Sequence, residues 1–207
     1  LAGSFTYAYA PDTSSFLTKQ ITLPNGATIT NNYDARARLL STTLLDTQQT
    51  VLNSHRYLFN PAGQRTNQVR VFAMGGPNSS WTQASNTVAY DYDLAGRLVG
   101  AKASEAAGVA ERLIERFGYA YDAAGNLTRR TNNGLVQSFQ VNSLNELTNV
   151  SRTGTLTVSG TTTAIATNVT VNNLTAEIYG DATFAKDGFN LVNGDNTFTA
   201  IARDSYG

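Results

Sequence analysis

Two nine-residue segments of this chain are near copies of each other: Tyr90-Asp91-Tyr92-Asp93-Leu94-Ala95-Gly96-Arg97-Leu98 and Tyr119-Ala120-Tyr121-Asp122-Ala123-Ala124-Gly125-Asn126-Leu127. Internal repetition restricts the fold more than any single residue, because each unit has to pack against its own copies. In each copy two aromatics stand two positions apart, which puts both on one face of a strand. The Asp and the Gly, three positions apart, match the first and last positions of a type I turn. The Asp side chain can hydrogen-bond the turn backbone, and the Gly can take the left-handed conformation that a bulged hairpin loop needs. The Leu then returns the chain to the apolar face. The spacing predicts a β-hairpin.

Degraded copies surround this pair. Tyr33-Asp34-Ala35-Arg36-Ala37-Arg38-Leu39 has Ala where Gly is expected, and Phe59-Asn60-Pro61-Ala62-Gly63-Gln64-Arg65 keeps the turn but loses the closing Leu. Val141-Asn142-Ser143-Leu144-Asn145-Glu146-Leu147 replaces Gly with Asn, the next best residue for positive φ. Tyr7-Ala8-Tyr9 with Asp12 and Leu17 reads as a sixth copy. The aromatic anchors lie about 20 to 33 residues apart, within the range of repeat architectures. Ser104 to Arg116 is rich in helix formers, and a short helix is the alternative there. Gly108 interrupts that pattern, so the expectation is two strands joined by a loop near Ala106 to Val109.

These segments resemble the YD-repeat, or RHS, family, whose signature is Tyr-Asp-x-x-Gly-Arg/Asn-Leu. The resemblance covers residues 1–150 and rests on Tyr33, Asp34, Leu39, Phe59, Asn60, Gly63, Tyr92, Asp93, Gly96, Arg97, Leu98, Tyr121, Asp122, Gly125, Asn126 and Leu127. It implies an all-β fold in which a curved antiparallel strip of hairpins forms part of a shell that encloses a toxin or presents a binding surface. Relatives of this kind are secreted or surface-attached, in bacterial polymorphic toxins, insecticidal toxin complexes and animal adhesion receptors. The family's self-cleaving Asp-Pro core segment is not seen here, so no proteolytic residue is carried over.

From residue 151 to 207 the signature disappears and Thr, Val and Asn dominate. Leu191, Gly194, Asn196, Phe198, Ala200, Ala202, Asp204 and Gly207 fall at the spacing Leu-x-x-Gly-x-Asn-x-aromatic-x-Ala-x-Ala-x-Asp-x-x-Gly. That run is similar to a bacterial Ig-like module found beside glucodextranase catalytic domains. The resemblance implies a β-sandwich that would be incomplete here, lacking its last strand after the Asp-x-x-Gly turn.

The chemistry-bearing residues are sparse. His55 is the only histidine and there is no cysteine, which removes His-based triads, multi-His metal sites and thiol chemistry. Asp91 and Asp93 alternate with tyrosines on a strand, and Asp93 is already committed to a turn, so the pair reads as structural rather than as acid and base. Asp181, Asp187, Asp195 and Asp204 fit no Asp-x-Asp-x-Asp calcium loop and read as turn and cap residues. Tyr90, Tyr92, Phe117, Tyr119 and Tyr121 read as a packed sheet face, with a sugar-stacking platform as the alternative. Asn78-Ser79-Ser80 and Asn168-Val169-Thr170 match glycosylation acceptors, as an Asn- and Thr-rich chain does by chance.

A charged fraction of 14% and a formal net charge of zero argue against nucleic acid or an anionic membrane as partner. No apolar run approaches the ~20 residues that span a bilayer. Leu1 reads as the start of a segment cut from a longer polypeptide. The expectation is a non-enzymatic, cofactor-free, metal-free structural or interaction segment of a secreted or cell-surface bacterial protein. Its first partner is the rest of its own polypeptide, further YD repeats or an encapsulated C-terminal domain. Cell-surface glycans or proteins are the second. The rivals are a carbohydrate-binding or adhesive module and, behind it, part of a glycosidase-like hydrolase.

Overall fold

A computed structural model describes residues 3–10, 16–74, 82–105, 110–163 and 166–204. Asp12, the loop from Ala106 to Val109, the tripeptide Asn78-Ser79-Ser80 and Gly207 lie outside the described residues.

The chain is all-β, and among the described residues there is no helix. Twelve strands follow one another through one sheet in chain order. They are β1 (Thr6–Tyr9), β2 (Thr18–Thr22), β3 (Thr28–Tyr33), β4 (Leu39–Leu45), β5 (Val51–Phe59), β6 (Arg65–Met74), β7 (Thr82–Tyr92), β8 (Leu98–Glu105), β9 (Ala110–Tyr121), β10 (Leu127–Asn132), β11 (Leu135–Val141) and β12 (Leu147–Thr153). The helix formers on either side of residues 106–109 stand in β8 and β9, where Ser104 pairs with Glu111 and Glu105 with Ala110. Cross-strand pairing overrides their local preference.

The chain divides into two compact units, Leu1–Thr87 and Val88–Gly207. In both, the sheet is a single layer whose side chains are mostly half-buried; its buried apolar residues are few and mostly small, Ala27, Val88, Ala101 and Ala103. Such a layer is held by cross-strand neighbours and by its turns, since among the described residues no second layer covers it with a packed core. At its last strand, β12, every side chain is exposed.

At Gly154 the chain leaves the sheet and builds two three-stranded sheets. One has the order β13 (Thr155–Thr161), β17 (Thr183–Asn190), β16 (Glu177–Ile178); the other has β15 (Leu174–Thr175), β14 (Asn168–Val171), β18 (Ala200–Arg203). Val169 and Val171, two apart on β14, are fully buried with Ala166, Ala176, Phe184 and Phe189, and Leu156, Val158, Ile178 and Phe198 close round them. Residues from both sheets fill this one cluster, so the sheets face each other across a small apolar core. Ala200 and Ala202 stand directly opposite Val171 and Val169, hence on the same face, but on the edge strand β18 both stay exposed.

Candidate functional site

The signature residues come together in the hairpin turns. In the turn 93–97, Asp93 N–H donates to Arg97 O at 3.0 Å and Gly96 N–H donates back to Asp93 O at 3.0 Å, with Gly96 at φ 84°. Asp93 Oδ1 then accepts from Ala95 N–H at 3.0 Å and from Arg97 N–H at 2.8 Å, so one carboxylate oxygen fixes two donors of the loop. The same backbone pair closes turns 34–38, 60–64, 122–126 and 142–146, with Ala37, Gly63, Gly125 and Asn145 at positive φ. Each joins an odd-numbered strand to the next even-numbered one. Three further turns of this geometry escape the signature search. Leu23–Ala27 has Gly26 at φ 84° but neither aromatic nor Asp before it. Asp46–Thr50 has Leu45 for its aromatic and Gln49 at φ 65°, and Tyr179–Thr183 has Ala182 at φ 61°. At Gln49 and Ala182 the residue types carry no usable signal, since nothing in Gln or Ala favours positive φ.

The fifth residue of each of the five signature turns reaches back to the first with matched polarity. Where the first is Asp, the fifth is a donor: Arg38 Nε to Asp34 Oδ2 at 2.6 Å, Arg97 Nε to Asp93 Oδ2 at 2.7 Å, and Asn126 Nδ2 to Asp122 Oδ2 at 2.9 Å. Where the first is Asn, the direction reverses. Asn60 Nδ2 donates to Gln64 Oε1 at 2.6 Å and Asn142 Nδ2 to Glu146 Oε2 at 2.7 Å.

Arg38, Arg97 and Asn126 also tie their turns to the next one. Arg97 lies over the Tyr121 ring, its guanidinium carbon 4.8 Å from the ring centre, while its Nη1 donates to Asp122 O at 3.2 Å. Tyr121 OH returns a hydrogen bond to Leu98 O at 3.0 Å. The three contacts close a reciprocal lock between neighbouring repeats. Arg38 stands in the same way over Phe59 at 4.8 Å and reaches Asn60 O at 3.5 Å. Asn126 Nδ2 meets Asn145 Oδ1 at 2.8 Å, and Tyr33 OH donates to Thr18 O at 3.0 Å. Leu39, Leu98 and Leu127 are half-buried beside these turns, and Leu147 at the sheet edge is exposed.

Two outcomes are expected from the turns. Gly96→Ala and Gly125→Ala should each cost about 1 kcal/mol or more, because a Cβ is strained at φ 84° and 91°, while Ala124→Gly should cost less. Ala37, already strained at φ 61°, should gain stability of up to about 1 kcal/mol as Gly. Urea melts of the four variants test both signs.

Electrostatics give a further expectation. The Asp34 and Asp93 carboxyls are held below the usual range, first by the backbone N–H of Arg38 or Arg97 and then by the guanidinium beside them; Asp122 is lowered chiefly by the Asn126 side chain. With the folded value below the unfolded one, their stabilisation is complete above the ordinary aspartate value of about 3.9 and is lost as pH falls through the folded values. The melting temperature should hold from pH 7 to about 5 and drop below about 4. In Asp93→Asn the drop should be smaller.

The other candidates are dispersed. His55 is half-buried on β5, with its Nδ1 3.0 Å from Gln68 Nε2; burial first, then Arg70 and Arg65, lowers its pKa. Asp187 faces Lys186 at 3.6 Å. Asn196 folds its own loop, its Nδ2 donating to Val192 O and Gly194 O at 3.0 Å each. Among the described residues no group of three or more His, Asp or Glu is placed to hold a metal ion.

Asp181 instead meets a residue the sequence did not single out. Arg112 on β9 is 3% exposed; its Nη2 donates to Asp181 Oδ2 at 2.7 Å and to Thr183 Oγ1 at 2.9 Å, and its Nη1 pairs with Glu105. Its guanidinium lies over the Tyr179 ring at 4.5 Å. No sequence signal marks it, because its partner is 69 residues away.

No family model matches this chain, and no curated protein does either. Among solved structures, the crystal structure of TcdB2-TccC3 is 12% identical over 99% of this chain and 13% of its own, with a TM-score of 0.30. The TcdB2-TccC3-Cdc42 structure is 12% identical over 73% of this chain and 10% of its own, with a TM-score of 0.29. TcdB2-TccC3 without its hypervariable C-terminal region is 13% identical over the same shares, at 0.28. This chain spans about a tenth of the length of the structures it matches.

Proposed function

We propose that this chain is a non-catalytic structural segment of a large exported bacterial protein of the RHS, or YD-repeat, kind. In this reading residues 1–150 contribute strands to a β-shell that encloses a toxin or presents a binding surface, and residues 151–207 form an Ig-like module set into the repeat array. The observation that carries the reading is the turn-to-turn lock. A residue that serves its own turn and also grips the next, as Arg97 does for Asp93, Tyr121 and Asp122, joins neighbouring hairpins of one unit into a wall. A wall is also what a single layer of half-buried side chains suits, since its faces are finished by what it surrounds. The partners are accordingly further repeats of the same polypeptide and whatever the shell holds.

Limited proteolysis of the full exported polypeptide tests this. Deleting residues 88–150 should open the wall, so that an enclosed segment protected in the intact protein is cut rapidly. Unchanged protection after the deletion, or retention of the intact polypeptide in the cytosol, would refute the reading.

A further inference from the structure

We infer that the β13–β18 sandwich is latched onto the β8–β10 part of the sheet by Arg112, and that acid opens this latch while the sandwich itself stays folded. The latch has two sides. From the sheet come Arg112 and Glu105, facing each other across the β8–β9 hairpin; from the sandwich comes the turn Tyr179–Thr183, which supplies Asp181, Thr183 and the ring of Tyr179. Backbone bonds cross the same junction: Leu113 N–H donates to Tyr179 OH at 2.9 Å and Gly180 N–H to Glu105 Oε2 at 3.3 Å. Asn133, in the β10–β11 turn, bridges Leu113 O and Thr157 Oγ1.

The junction and the core differ in kind. Every residue of the apolar cluster lies between Leu156 and Phe198, and none comes from the sheet. The joint is therefore polar and built round one buried charge, while the sandwich holds itself together by apolar packing. Such a joint can be broken without touching the core, because its energy depends on the carboxylates staying charged. The groups facing Arg112 are Glu105, Asp181 and Tyr179, with Glu177 of β16 acting on Tyr179; on β9 itself Arg116 is matched by Glu111 at 3.2 Å. Burial works to raise the Asp181 pKa, but the Thr183 hydroxyl and the Arg112 guanidinium outweigh it and hold it below the ordinary value. Its contribution is thus present above the unfolded-state aspartate value and is lost as pH falls through the lower folded one, an opening window below about pH 4. There Arg112, 3% exposed, loses the Asp181 counter-charge.

Amide hydrogen exchange on the whole chain tests the latch. In Glu105→Gln/Asp181→Asn at pH 7, exchange at Leu113 and Gly180 should rise by about 100-fold or more, while the β14 and β17 amides stay protected. Wild type at pH 3 should show the same pattern after correction for the intrinsic rate. Arg112→Met/Glu105→Gln/Asp181→Asn, with no charge to strand, should show equal Leu113 protection at both pH values. Leu113 protection unchanged in the double variant and at pH 3 would overturn the latch. Loss of the β14 and β17 amides together with Leu113 would overturn the separable module.

Discussion

Gly154→Ala should cost about 3 kcal/mol or more and detach the sandwich from the end of the sheet. A Cβ at this position would stand 1.9 Å from the carbonyl oxygen of Gly134 and 3.1 Å from its carbonyl carbon, and the residue sits at φ 86°. The obstacle is backbone, which cannot rotate away as a side chain would. The same crossing carries the bond from Thr155 N–H to Gly134 O at 3.3 Å, so relief of the clash also breaks the first contact beyond the sheet. Gly188→Ala is the matched control: its φ is 89°, but nothing lies within 4 Å of the added carbon. It should lose only the conformational part, about 1 kcal/mol. Chemical denaturation of the two variants separates clash from conformation, and equal losses would remove the crossing from the account.

Phe184→Ala should cost about 3–5 kcal/mol, enough to unfold so small a sandwich. Phe184 is 6% exposed and packs with Val169, Val171 and Phe189, and the last meets Phe198 edge-on at 5.2 Å between ring centres. With one apolar cluster and no second core among the described residues, a cavity there has little to collapse onto it. Near-ultraviolet circular dichroism and loss of β14 amide protection would report it. The turn bonds of 93–97 and 122–126 involve none of these residues, so Gly96 and Gly125 amides should stay protected.

The turns were the legible part of this fold. Asp at the first position and Gly at the fourth name their own conformation, so 93–97 and 122–126 could be placed from the residues alone, with Asn60 and Asn142 as weaker versions. Asp46–Thr50 was hidden because sheet pairing imposed positive φ on Gln49, a residue with no preference for it. The matched polarity of first and fifth residues was also in the letters, Asp with Arg or Asn and Asn with Gln or Glu, but a fixed signature at the fifth position conceals it. What local pattern could not supply was contact at long range. Arg112 stands among Glu111, Glu115 and Arg116 and looks like part of a solvated charge run. Its burial comes from a turn 69 residues downstream that folds over it.

The central claim is that successive repeats are coupled through their turns, and a double-mutant cycle on Arg97 and Tyr121 measures that coupling directly. Arg97→Ala removes the guanidinium from the Tyr121 ring and from Asp122 O; Tyr121→Leu removes the ring and the bond to Leu98 O. The stability losses of the two single variants and the double variant, from urea melts at low salt, should leave an interaction energy of about 0.5–2 kcal/mol between the sites. Losses that add to within about 0.3 kcal/mol would mean that the two repeats stand side by side without gripping each other, and the wall reading would fall with them.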